Sequence, residues 1–144
     1  MGVQPNSIQK ERETQFIQNM GAFMRRDFPA MEATMRSDVV MELPGSSWLA
    51  GKHQGYEGVS RCIFGLRNVL EADANQITFL HAGDQMLVRF HVAVHGPSHD
   101  VDMTFRVRVR YDESGGWETI SVEPDDLGLF DYVLSTVVRG QASA

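Results

Sequence analysis

The sequence has 144 residues, of which 42% are hydrophobic and 22% are charged, and its formal net charge at pH 7 is −6. This composition is typical of a globular protein with one domain, and we expect a single domain over 1–144 with disordered ends at 1–6 and 139–144. The acidic charge argues against nucleic acid or an anionic membrane as a partner. The sequence shows neither a signal peptide nor an apolar run long enough to span a membrane, which predicts a cytoplasmic protein.

Apolar residues at helical spacing dominate the first half of the chain. Ser7 and Asp27 are suitable N-caps for two successive helices, and Pro29 in the first turn of the second helix favours that boundary. A short strand then stops at Pro44-Gly45, before a loop and a third helix. The predicted elements of this half are a helix at 7–26, a helix beginning at 28, a strand at 38–43, a loop at 46–54 and a helix at 55–70.

Apolar and polar residues alternate with a period of two from Gln85 to Tyr111, with one interruption at 96–98, and this period predicts two long strands folded back on each other. Shorter strands are predicted at 76–81 and 117–123, and helical spacing returns after Pro124. A sheet with one apolar face must bury that face against another layer. We therefore predict an α+β fold in which helices cover one face of a curved antiparallel sheet. The residues expected on the buried face are Phe90, Val92, Met103 and Phe105.

Five segments of the chain carry a resemblance to a known family. They are 26–28 (Arg-Asp-Phe), 38–44, 51–59, 83–90 and 120–125. Over about residues 10–130 the sequence resembles the SnoaL-like polyketide cyclases of the nuclear transport factor 2-like superfamily. The resemblance implies a cone-shaped antiparallel sheet covered by three N-terminal helices around an apolar cavity. It also implies a cofactor-independent cyclase or isomerase that acts on an apolar, polyketide-type intermediate.

Asp125 is the first candidate catalytic residue, because the resemblance places an acid/base aspartate there, after the apolar run 120–122. A carboxylate at the rim of an apolar cone is suited to proton transfer. The alternative is that Asp125 or Asp126 caps the tail helix, with Asp126 the better cap and Asp125 the better acid. His81 is the second candidate, since its strand parity with Ile77 and Phe79 directs it inward, where it serves either the pocket or the core.

Three groups within the superfamily use polar residues for which the sequence shows no equivalent. Aligned with the ketosteroid isomerases, the chain has Leu43 in place of the base, Asn19 in place of the oxyanion-hole tyrosine and Val107 in place of the oxyanion-hole acid. The His-Arg-Phe of the cyclases reads Val-Arg-Tyr at 109–111, so their histidine is also replaced. A limonene-epoxide-hydrolase-like reaction needs a second acid, which the sequence does not supply.

The candidate substrate-binding residues are apolar or aromatic and were chosen by strand parity or by position at the rim of the cone. Trp48 and Tyr56 form either a stacking wall or a hydrophobic plug. The full set is Met41, Trp48, Tyr56, Phe90, Met103 and Phe105. A non-catalytic ligand-binding or dimerisation module, and an epoxide hydrolase or epoxide-opening cyclase, remain alternatives to the cyclase or isomerase.

The cysteine, the histidines and the polar face of the sheet do not predict a cofactor site. Cys62 lies within an apolar helical pattern and is expected to be a buried, inert thiol. The five histidines have no metal-ligand spacing, so we expect neither a metal nor a cofactor. The polar face of the long strands predicts a homodimer interface. That face carries Arg89, His91, Thr104, Arg106 and Arg108.

Overall fold

The computed structural model describes residues 6–96 and 98–136, without the side chains of 74 and 75. These residues form four helices and one six-stranded sheet. The elements in chain order are α1 (Ser7–Met24), α2 (Phe28–Glu32), β1 (Met35–Leu43), β2 (Gly51–Gln54), α3 (Gly55–Arg67), β3 (Leu70–Ala82), β4 (Gln85–His95), β5 (Asp100–Tyr111), β6 (Trp117–Pro124) and α4 (Leu127–Ser135). The predicted α+β fold with helices covering a curved sheet is confirmed. The ends predicted to be disordered lie outside the described residues, except Asn6.

The sheet has the strand order β2-β1-β6-β5-β4-β3. Neighbouring strands run antiparallel except β1 and β6, which pair in parallel. This parallel pair was not part of the antiparallel prediction. Its two strands come from opposite ends of the chain, and alternation within a strand says nothing about which distant strand lies beside it.

The long hairpin β4–β5 has the predicted boundaries and the predicted faces. Phe90 pairs with Phe105 and Val92 with Met103, and all four side chains are at most 7% exposed. The opposite face carries exposed arginines, and one of them, Arg106, lies 3.5 Å from Glu123. The assignment of faces is therefore confirmed, whereas the pairing of the outer face with a second subunit stays a prediction.

Several predicted boundaries were wrong: β1 begins at Met35 and not at residue 38, and β3 covers Leu70–Ala82 and not 76–81. The cap of α1 is Asn6 and not Ser7, because Asn6 and Gln9 exchange side-chain and backbone hydrogen bonds of 2.8 and 3.0 Å in a capping box. The predicted loop 46–54 contains β2, which pairs with β1 from Val40↔Gln54 to Leu43↔Gly51. The third helix ends at Arg67 rather than at residue 70, because Leu70 already pairs with Val94 in β3.

Helix α1 packs against the buried face of the sheet through aromatic contacts. The ring of Phe16 stacks on Trp117 with centroids 5.8 Å apart, and Trp117 Nε1 donates to Gln15 Oε1 at 2.7 Å. Ile8 and Ile17 belong to the apolar residues at helical spacing in this helix, but they are 60% and 43% exposed. The buried stripe instead follows Phe16, Asn19 and Met20, so α1 turns a polar residue toward the sheet. None of the described helices is long and apolar enough to cross a membrane.

Candidate functional site

An apolar cavity of about 100 Å³ lies between the helices and the buried face of the sheet. Its walls come from α1, α2, α3 and all strands except β2. Four methionines contribute to the lining: Met20, Met31, Met35 and Met41. Because methionine is flexible and polarizable, such a wall adapts to irregular shapes.

In the described lining of the cavity, Asn19 is the one residue with a side-chain amide, and the other side chains are aliphatic or aromatic. It is 5% exposed, and its Nδ2 donates to Thr34 Oγ1 at 2.9 Å. The Thr34 hydroxyl in turn donates to the carbonyl oxygen of Met31 at 2.7 Å. Within the described part of the chain no donor reaches Asn19 Oδ1, so this oxygen is available to accept a hydrogen bond from a ligand.

Asn19 was not among the predicted site residues, although the sequence contains a signal for it. It follows Phe16 by three positions and precedes Phe23 by four, and both of these residues also line the cavity. Residues at these spacings share one face of a helix. An asparagine between two inward-facing phenylalanines is therefore recognisable as a polar group on an apolar face.

Half of the predicted substrate-binding residues line the cavity. Met41, Phe90 and Phe105 do so, whereas Met103 is buried but is not part of the lining. Strand parity correctly places Met103 on the buried face. Parity does not distinguish a side chain that borders the cavity from one that packs against other core residues.

Trp48 and Tyr56 are half-buried against the core and lie outside the cavity lining. Trp48 Nε1 donates to the carbonyl oxygen of Leu134 at 3.2 Å, which joins the 44–50 loop to α4. The Tyr56 hydroxyl donates to the carbonyl oxygen of Met35 at 3.0 Å. The geometry matches the plug interpretation of these two side chains better than the stacking wall, since both polar groups bond to the backbone.

Asp125 is exposed and is not among the residues that line the cavity. Its backbone N–H donates to the carbonyl oxygen of Thr104 at 2.9 Å and so extends the β5–β6 ladder by one bond. Asp126 is the N-cap of α4, with its Oδ1 accepting from the N–H of Leu129 at 3.0 Å. The helix cap is therefore Asp126, and the catalytic role of Asp125 stays a prediction.

His81 lies in a contact between β3 and α1 and not in the cavity lining. Its Nε2 is 2.6 Å from Glu13 Oε2, and the two side chains are 11% and 25% exposed. The contact joins α1 to the far end of β3. The predicted catalytic role of His81 stays a prediction, and its observed partner is an acidic side chain of the covering helix.

Cys62 is fully buried in α3, as expected. Burial raises the pKa of its thiol to about 12, so the thiolate is not populated near neutral pH. In the described residues no group of three or more histidine, cysteine, aspartate or glutamate side chains is arranged to hold a metal ion.

The cavity comes nearest to solvent between the C-terminal end of α1 and the start of β3. Phe23 and Ala72 are half-buried, whereas every other lining residue is buried. The N–H of Ala72 donates to the Met24 sulfur at 3.3 Å, which links the two elements at this point. We call this junction, formed by Phe23, Met24, Arg67 and Leu70–Ala72, the cavity mouth.

No protein-family model and no curated protein matches the sequence. Solved structures match it closely in fold at low sequence identity. Bal32a, from a soil-derived mobile gene cassette, is 15% identical with a TM-score of 0.75, over 89% of this chain and 99% of its own. TerC, which was co-crystallised with polyporic acid, is 16% identical with a TM-score of 0.72, over 86% of this chain and 98% of its own.

A third structure, from Jannaschia sp. CCS1, is provisionally named a SnoaL-like polyketide cyclase. It is 13% identical with a TM-score of 0.72, over 93% of this chain and 99% of its own. Identities this low show a shared fold and leave the activity open. The protein therefore has the nuclear transport factor 2-like fold, the same fold as structures named as SnoaL-like polyketide cyclases.

Proposed function

We propose that the protein binds a small apolar molecule in the cavity beneath α1. The observation that carries this proposal is a lining of aliphatic and aromatic side chains interrupted by the amide of Asn19. Apolar cavities of this kind stay dry, and one of about 150 Å³ in another protein binds benzene. An apolar ligand therefore does not have to displace tightly bound water on entry.

The cavity size limits the ligand. Pockets for drug-sized ligands measure roughly 300–1,000 Å³, whereas this cavity measures about 100 Å³. A compact single ring is the largest group that it accepts without rearrangement. Larger ligands require the methionine side chains to change rotamer, which methionine does at low energetic cost.

The polar chemistry of the described lining supports binding more than acid/base catalysis. A general acid or base must lie within hydrogen-bonding reach of the reacting group. The described lining holds no carboxylate, histidine, lysine or arginine. The amide of Asn19 is suited to orienting a ligand, because its Oδ1 accepts a hydrogen bond from a hydroxyl or enol group.

Small aromatic probes test this proposal. We expect millimolar toluene and phenol to raise the melting temperature and to shift the NMR methyl signals of the lining methionines. Phenol should bind about fivefold more tightly in wild type than in Asn19→Leu, because one hydrogen bond to Asn19 Oδ1 contributes about 1 kcal/mol. Toluene should bind equally well to both. The absence of any probe effect at the methionines would show that the cavity is not a ligand site.

A second candidate function is a cofactor-independent cyclase or isomerase that takes a polyketide-type intermediate into the same cavity. It is favoured by the fold shared with a structure from Xanthomonas campestris that is provisionally named a polyketide cyclase, at 14% identity and a TM-score of 0.69. Restraint of a reactive substrate in the cavity would supply much of the catalysis, since good orientation contributes about 7–11 kcal/mol in favourable cases. Asp125, at the end of β6, would exchange one proton with the substrate.

Asp125→Asn separates the two candidates. The asparagine keeps the shape of the side chain but does not exchange a proton near neutral pH. A catalytic Asp125 predicts a loss of about 10²–10⁴-fold in the turnover of a polyketide-type substrate, with toluene affinity unchanged. Turnover at the wild-type rate would remove Asp125 from the mechanism and leave cavity binding intact. Asp126→Asn is the matched control, because asparagine is an equally good helix cap.

A further inference from the structure

Arg67 holds three elements together at the cavity mouth. Its Nε donates to the carbonyl oxygen of Met24 at 3.2 Å, and its Nη1 donates to the carbonyl oxygen of Leu70 at 3.3 Å. Arg67 itself follows Leu66, which lines the cavity, and its side chain is half-buried. Within the described residues Nη2 of Arg67 makes no hydrogen bond, so its N–H groups are available to an acceptor on a ligand.

Neither Arg67 nor Arg26 makes an ion pair in the described part of the chain; Glu71, the one acidic residue of the cavity mouth as defined, lies 3.9 Å from His95 instead. No carboxylate there lies within 4.0 Å of Arg67 or of Arg26, the next arginine at the mouth. Both partners of Arg67 are neutral carbonyl groups. A half-buried guanidinium is costly to desolvate, and a carboxylate with suitable geometry lowers this cost.

Arg26 and Asn68 add two further donors beside Arg67. Arg26 Nη1 donates to Asn68 Oδ1 at 2.9 Å, which leaves Asn68 Nδ2 as a buried donor without an acceptor in the described structure. Arg26 also has φ +60°, the left-handed conformation that ends α1, since the N–H of Asp27 donates to the carbonyl oxygen of Ala22 at 2.8 Å. A buried donor without an acceptor is rare in native structures, and the acceptor group of a ligand would provide its partner.

We propose that the ligand of the cavity is an apolar acid. Its hydrocarbon or aromatic part occupies the cavity, and its carboxylate or ionised enol accepts hydrogen bonds from Arg67 at the mouth, with Arg26 adding positive charge. This inference rests on the proposed binding function and deepens it. The chemical basis is that a planar guanidinium matches a carboxylate in shape, and the charged hydrogen bond is about twice as strong as a neutral one.

The test compares acids with the alcohols of the same carbon skeleton. Phenylacetate, 3-phenylpropionate and 4-phenylbutyrate are titrated at neutral pH by calorimetry, together with their three alcohols. The three chain lengths cover different distances between cavity and mouth. At the best length we expect the acid to bind at least about tenfold more tightly than its alcohol, and this ratio should fall as salt is added.

Substitutions at the cavity mouth test which residues cause the tighter binding of the acid. Arg67→Gln should lower the acid-to-alcohol ratio about tenfold while changing alcohol affinity little. Since Arg67 also supports two backbone carbonyls, Arg26→Gly provides a second variant. Glycine adopts the left-handed conformation without strain, so this variant keeps the backbone and removes one positive charge. It should lower the ratio a few-fold. Arg25→Gln is the matched control, because Arg25 is exposed and lies 4.0 Å from Asp27.

The outcomes distinguish this inference from the function on which it rests. Equal affinity for acid and alcohol in wild type would overturn the inference and leave apolar binding in place. If the acid-to-alcohol affinity ratio were the same in wild type, Arg26→Gly and Arg67→Gln, the assignment of the carboxylate site to the cavity mouth would be overturned. Failure of every acid, every alcohol and toluene to bind would overturn the proposed function itself.

Discussion

Phe105→Ala is expected to lower the free energy of unfolding by about 3–5 kcal/mol, and the melting temperature by about 10–15 °C. Phe105 is 2% exposed and lines the cavity. Its ring packs edge-on against Phe130 with centroids 5.3 Å apart and lies 6.4 Å from Phe90. The substitution removes these contacts and joins the new void to the existing cavity. Chemical denaturation followed by circular dichroism measures the change.

The adjacent residue provides the control for Phe105→Ala. Arg106 lies on the exposed face of the same strand, and its ion pair to Glu123 is 3.5 Å long and exposed on both sides. Arg106→Ala should change stability by no more than about 0.5 kcal/mol. Similar losses for the two variants would contradict the assignment of faces on β5.

Enlarging the cavity also tests the binding proposal. Phe105→Ala should bind a larger aromatic molecule, such as naphthalene, more tightly than wild type does. The bound ligand should recover part of the lost stability, since a molecule that binds only the folded state stabilises it in proportion to its occupancy. Destabilisation without any recovery by aromatic ligands would indicate that the cavity closes when Phe105 is removed.

The sequence predicted those elements whose signal lies within a single stretch of chain. The strands β4 and β5 have an unbroken period of two, and the helix boundary at Asp27 has both a cap and an early proline. Strand β2 has only four residues and no alternation, because it is an edge strand held by backbone pairing with β1. The parallel pairing of β1 with β6 depends on the path of the whole chain.

The candidate site was predicted less completely than the fold. Strand parity found Phe90, Phe105 and Met41, because residues two apart on a strand share a face. It did not find Asn19, because Asn19 lies on a helix and a helical stripe read from apolar residues alone excludes an asparagine. It also did not find Arg67, whose position at the mouth depends on contacts with α1 and β3.

The described lining of the cavity contains no carboxylate, histidine, lysine or arginine side chain. Proton transfer would have to involve a group at the mouth or a solvent-exposed carboxylate such as Asp125. Recognition needs only the shape of the lining, the amide of Asn19 and the positive charge at the mouth. The proposed acidic ligand uses two of these features, the apolar lining and the positive charge at the mouth, whereas a ligand with a hydroxyl group would also use the amide of Asn19.

Gly45→Ala is expected to lower the free energy of unfolding by about 2–5 kcal/mol, as the sum of two costs. Gly45 has φ +104°, where a residue with a Cβ is strained by about 1–2 kcal/mol. The new Cβ would also lie 2.7 Å from Asp131 Oδ2, and overpacking of this kind costs about 1–3 kcal/mol. Asp131 Oδ2 accepts from the N–H of Ser46 at 3.1 Å, so the displaced carboxylate would weaken the link between the 44–50 loop and α4.

Gly51 separates these two costs. It has φ +111°, nearly the same backbone conformation, but an added Cβ there would meet no atom within 4 Å. Gly51→Ala should therefore show only the strain, about 1–2 kcal/mol.

If the collision with Asp131 is the additional cost, Gly45→Ala made in an Asp131→Ala background should cost no more than Gly51→Ala, because coupled sites are not additive. Equal losses for Gly45→Ala and Gly51→Ala in the wild-type background would mean that the carboxylate moves aside freely. The loop carrying Trp48 would then be held mainly by the indole's bond to Leu134 and not by Asp131.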